Sequence, residues 1–157
     1  MEITLARALK YKNRLVGKIA TVTEIVRTKN SVIKGTEKEV DIRELVALRA
    51  KLINNLIDLK TAINKANGPI VETIFAISEL KSDIVFWNSV NTTHGMASQD
   101  RAYYPATEPT EFEAVFRFGD AEELKTNTNK KIDARQEKID KHNHSTTINV
   151  EVLDEVY

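Results

Sequence analysis

The strongest constraint on this fold is the apolar rhythm between Asp41 and Ala66. Ile42, Leu45, Leu52, Leu56, Leu59, Ile63 and Ala66 follow spacings built from threes and fours, with Arg49 the one polar residue on the seam. At 3.6 residues per turn these side chains share one side of a helix, and a stripe this long has to be buried against another element. Asp41 marks the start. Its carboxylate can accept first-turn N–H groups while Glu44, three residues on, reaches back in a capping box.

A matching partner precedes it. From Thr4 to about Thr28, Leu5, Ala8, Leu15, Ile19, Val22 and Val26 keep the same rhythm, and Leu9 and Val16 widen the stripe. Two such helices pack antiparallel, as in bundles and coiled coils. In "KANGPIVETI", Asn67 and Gly68 predict a left-handed helix end, and Pro69 the first position of a third helix. That helix carries Ile70, Ile74, Ile77, Leu80, Ile84 and Trp87 and runs to about Asn91. The link "KNSVIKGTEKEV" is a candidate hairpin around Gly35.

After Thr92 the rhythm stops. "TTHGMASQDRAYYPATEPT" reads as a long loop over 92–110. In "EFEAVFRF", Phe112, Ala114, Phe116 and Phe118 alternate with charged residues, the pattern of a half-buried strand. Asp120 with Glu123 predicts a capped fourth helix to about Asn143, with a thin apolar face of Leu124, Ile132 and Ile139. "TTINVEVLDEVY" alternates again through Ile148, Val150 and Val152. A strand, helix and strand with short links predict a parallel right-handed crossover. The expected fold class is therefore mainly α: an antiparallel bundle of three long helices plus a C-terminal strand-helix-strand. It forms a single domain over 1–157, with a core over 1–91, a loop over 92–110 and the strand-helix-strand over 111–157.

Composition narrows the function. At 157 residues and 41% hydrophobic, the chain can bury one core without disulfides. Lys+Arg and Asp+Glu are equal at 23 each, so no global field draws it to nucleic acid or membrane. The absence of cysteine removes thiolate catalysis and Cys-based zinc sites. With no signal-type apolar run and no membrane-length stretch, the expected location is cytoplasmic.

The segments "ALKYKNRL" in helix one, "NSVIKG" after it, "INKAN" closing helix two and "IDKHN" closing helix four resemble the septicolysin-like group of bacterial helical proteins. The resemblance spans nearly the whole chain. It implies a helical fold and no established activity.

Three groups of residues are candidates for chemistry. His142 and His144 could share a metal with His94 and an acid such as Asp140, Glu113 or Asp100. The competing role is helix termination, because histidines near a helix C-terminus donate to its unpaired carbonyls. Arg7, Lys10, Arg14 and Lys18 recur on one face of helix one, where a phosphate or nucleic-acid partner could bind, although every amphipathic helix needs a solvated face. Lys12 and Arg49 fall on seam positions, where a long cation snorkels outward or pairs. Glu79 and Asp83 stand four apart on helix three, but helices one and two offer no facing acidic pair for a magnesium site. The expected function is non-catalytic and needs no cofactor: self-assembly or partner binding, most simply a two-fold dimer through Phe112, Phe116 and Phe118.

Overall fold

The computed structural model describes residues 1–35, 40–97, 110–153 and 156. The chain is mainly helical with two small antiparallel sheets. In order the elements are β1 (Glu2–Thr4), α1 (Leu5–Lys29), α2 (Ile42–Ala66), a 3-10 turn (Gly68–Ile70), α3 (Val71–Ser89), β2 (Gly95–Ala97), β3 (Thr110–Phe112), α4 (Phe118–Ser145) and β4 (Thr147–Asn149). They fall into two compact units, one of residues 1–71 with 140–157 and one of residues 72–139.

The first unit is built on α1 and α2. Thr4 caps α1 by accepting from the Arg7 N–H at 3.3 Å, and Asp41 caps α2 by accepting from the Arg43 and Glu44 N–H groups at 2.8 and 3.2 Å. Both starts agree with the sequence. The helices run antiparallel, since Tyr11 meets Asn55 while Thr23, further along α1, meets Arg49, further back on α2. Leu5, Ala8, Leu15 and Val22 pack against Leu52, Leu59 and Ile63. The centre of the α2 stripe lies at Leu52 and Leu59, and Leu56 is only half-buried. Arg49 donates to the Thr23 hydroxyl at 2.8 Å, which satisfies the one polar seam residue.

The end of α2 departs from expectation. Asn67 keeps a right-handed backbone with φ −76°, and the chain passes straight into the 3-10 turn around Pro69. A left-handed cap would have satisfied the free terminal carbonyls. Here the Asn67 N–H bonds to Ile63 O, and the Ala66 carbonyl is bonded instead by His142.

The sheets differ more. β1 pairs antiparallel with β4, Glu2 opposite Asn149 and Thr4 opposite Thr147, and β2 pairs antiparallel with β3. No parallel crossover joins β3 to β4. Each strand found its partner elsewhere, β4 in a three-residue strand ahead of α1 that is too short to show any alternation. The strand expected over 111–118 stops at Phe112 because its partner β2 begins at Gly95, directly opposite it. α4 also starts earlier. The Ala121 N–H bonds to Arg117 O at 3.1 Å and the Asp120 carboxylate reaches back to the Arg117 N–H at 2.9 Å, so Asp120 fills the third helical position of the capping pattern and not the cap itself. Around Gly35, with φ +92°, the described residues form no strand. The rest of that candidate hairpin over 36–39, and most of the expected loop, over 98–109, lie outside the described residues.

The three-helix core expected over 1–91 is divided between the units, because α3 belongs with α4 in the second. α3 and α4 also run antiparallel: Thr128 donates to Asp83 at 3.2 Å and Lys125 to Asn88 at 2.9 Å. Among the described residues of this unit, Ile77, Ala121, Thr128 and Ile132 are buried.

Candidate interaction surface

α3 carries apolar residues around its whole circumference. One side holds the buried Ile77 and the half-buried Ile74, Leu80, Ile84 and Trp87. The other leaves Phe75, Val85 and Phe86 exposed at 65%, 68% and 55%. The turn after β3 adds Val115 and Phe116, and the first residue of α4 adds Phe118, all exposed. Phe116 stacks edge-on against Trp87 at 5.2 Å, and Trp87 against Phe86 at 5.1 Å, so Phe86 of the helix and Phe116 of the turn join through one ring. Of the expected interface, Phe116 and Phe118 are thus exposed, and Phe112, on β3, is half-buried. Phe75, Val85 and Phe86 were missed by sequence reasoning, which assigned a single buried stripe to this helix. The signal was available in "TIFAISELKSDIVFW", where apolar residues occupy more than one face.

His142 and His144 lie in the last turn of α4. His142 Nε2 lies 3.0 Å from the Ala66 carbonyl, which can only accept, so this nitrogen carries the hydrogen. Nδ1 lies 3.3 Å from the Thr146 hydroxyl. Both ring nitrogens are therefore engaged, one closing the C-terminus of α2 and the other that of α4. His144 Nδ1 donates back to the Asp140 carbonyl one turn earlier, at 2.7 Å. His94 Nδ1 accepts from the Ala114 N–H at 3.2 Å and lines a surface depression with Gly95, Glu111, Phe112 and Glu113. Among the described residues, no three His, Asp or Glu side chains gather in a way that could hold a metal ion. Asp100, a candidate third ligand, lies outside the described residues.

On α1 the residues Arg7, Lys10 and Arg14 are exposed and Lys18 is half-buried, along a flank that borders the buried Tyr11. Lys12 is half-buried. Asp83 serves as acceptor for Thr128, and Glu79 is exposed.

A polar cluster that the sequence reading passed over lies deep in the first unit. The Tyr11 hydroxyl donates to Asn55 Oδ1 and accepts from the Leu153 N–H, each at 2.9 Å, while Asn55 Nδ2 donates to the Glu151 carbonyl at 2.9 Å. Tyr11 and Asn55 are 2% and 6% exposed. All three bonds are complementary, and two of them go to the backbone, so the pair ties the segment after β4 to both long helices. Asn55 sits three after Leu52 and four before Leu59, a polar residue in the middle of the seam, which is the mark that could have revealed it.

No helix is long and apolar enough to cross a membrane among the described residues. Comparison with known protein families, with curated proteins and with solved structures returns no match.

Proposed function

We propose that this chain is a soluble, non-catalytic helical protein that acts by assembling with a second copy of itself through its second unit. The observation that supports this is that, among the described residues, the exposed phenylalanines Phe75, Phe86, Phe116 and Phe118 all lie there, with Val85 and Val115 beside them in sequence. Scattered exposed apolar residues are ordinary, but exposed aromatics such as Phe86 and Phe116, joined through Trp87, are the composition of an interface core. The balanced net charge adds no repulsion between copies. A two-fold dimer is the simplest closed arrangement.

Light scattering or sedimentation across micromolar concentrations tests the reading. The expected result is a dimer mass, shifted toward monomer by Phe116→Glu without loss of helical signal. A monomer at every concentration would overturn it.

A further inference from the structure

The exposed side of α3 contains a regular seam. Phe75, Ser78, Ser82, Val85 and Ser89 recur at spacings of three and four, and all are exposed. This is a heptad stripe on the side of the helix opposite Ile77, Leu80 and Ile84. The serines are less polar in place than in sequence. Ser82 Oγ donates to the Ser78 carbonyl at 3.2 Å and Ser89 Oγ to the Phe86 carbonyl at 2.7 Å, so two of the three hydroxyl hydrogens turn back into their own helix. What they present outward is small and low in demand for water.

The order of sizes along the seam is self-complementary. Phe75 and Val85 stand five residues on either side of Leu80, and Ser78 and Ser82 two residues on either side of it. A second α3 laid antiparallel about a two-fold axis near Leu80 places Phe75 opposite Val85 of the other copy, and Ser78 opposite Ser82 of the other copy. The small pair at the centre lets the helices approach, and the bulky pairs close both ends. A parallel copy would set Phe75 against Phe75 beside two layers of serine, which demands two interaxial distances in one contact. The antiparallel arrangement spreads the bulk evenly and also opposes the helix dipoles. Phe86, next to Val85, widens the contact toward the ring cluster with Trp87 and Phe116.

We infer that α3 is the dimerisation helix and that its occupant is α3 of a second copy of this chain, antiparallel and centred between Ser78 and Ser82. This rests on the self-assembly reading above and gives it a geometry. On the two flanks of the contact Glu79 lies beside Glu79 of the other copy and Lys81 beside Lys81 of the other copy. The association therefore holds or tightens as salt is added, where an ion-paired contact would weaken.

The absence of cysteine makes the test clean. Full-length Ser78→Cys and Ser82→Cys chains are made separately, oxidised alone and as a mixture, and compared on a non-reducing gel, with light scattering on the same samples. The expected result is a disulfide-linked dimer from the mixture several-fold faster than from either variant alone. Faster linkage of each variant alone would mean parallel helices and would overturn the proposed geometry while leaving self-assembly intact. A dimer by scattering with no linkage in any sample would move the interface elsewhere, to Phe112, Phe116 and Phe118, and overturn this inference alone. A monomer without linkage would overturn both readings and leave the seam for a different protein.

Discussion

In the first unit Leu5, Ala8, Leu15 and Leu52 are completely shielded, and Ile3, Leu153 and Val156 close the groove from the ends of the sequence. Among the described residues of the second unit the buried apolar ones are Ile77, Ala121 and Ile132, and more large apolar side chains stand exposed than buried. Both units are built on an antiparallel helix pair, so secondary structure does not explain the contrast. The difference is in what covers the pair. In the first unit β1, β4 and the segment that Tyr11 and Asn55 hold lie over the helices. In the second, α4 brings Lys, Asn, Asp and Thr where a covering element would bring leucines. A helix pair satisfied within the chain gives a core, and one left uncovered gives a surface that seeks a partner.

The comparison breaks first at the leucines. Leu59→Ala and Leu52→Ala should each cost about 2 to 5 kcal/mol in urea denaturation, with Leu56→Ala clearly less because that side chain is half-buried. Equal losses at the three positions would show that the α2 stripe is turned from the orientation described. Next in size is the polar cluster. Tyr11→Phe leaves the Asn55 carbonyl and the Leu153 N–H without their partner, and should cost about 1 to 3 kcal/mol and speed hydrogen exchange at Leu153. Unchanged exchange there would mean that the segment is held by its apolar side chains alone.

The helix-end histidines come third. His142→Asn frees the Ala66 carbonyl and should destabilise by roughly 1 kcal/mol. His144→Asn loses only a bond within its own helix and should cost about 0.3 to 1 kcal/mol at most. Elemental analysis of untagged protein accompanies both. Stoichiometric metal that vanishes in the variants would return these residues to a ligand role. The smallest effect on folding belongs to the second unit, where Phe75→Ser should change monomer stability by no more than about 0.5 kcal/mol while weakening association. A large unfolding effect there would mean that Phe75 belongs to a core and not to a contact surface.

Much of this architecture was legible before any coordinates. The periodic stripes of α1 and α2, the cap at Asp41 and the antiparallel pairing of the two helices follow from local spacing and from the need to bury a long apolar face. So does the placing of His142 and His144 at a helix terminus. Phe116 and Phe118 were recognisable as exposed aromatics, although as strand residues, because alternation over so short a run looks the same in a strand and in the irregular turn that leads into α4.

Tertiary structure alone decided the rest, because each of these outcomes depends on a partner distant in sequence. β4, expected as a strand, pairs with residues 2–4 across nearly the whole chain, and that short segment carries no alternation by which to announce itself. Asn55 became a core residue because Tyr11 and the Glu151 carbonyl came to meet it. α2 ends without a left-handed turn because His142 arrived to bond the last carbonyl. The apolar content of α3 was visible in the sequence, but which side would be covered was not, since that depends on what else the chain has to lay over it. Local spacing determined which segments became helices. Long-range pairing decided which of their apolar faces were closed and which were left open.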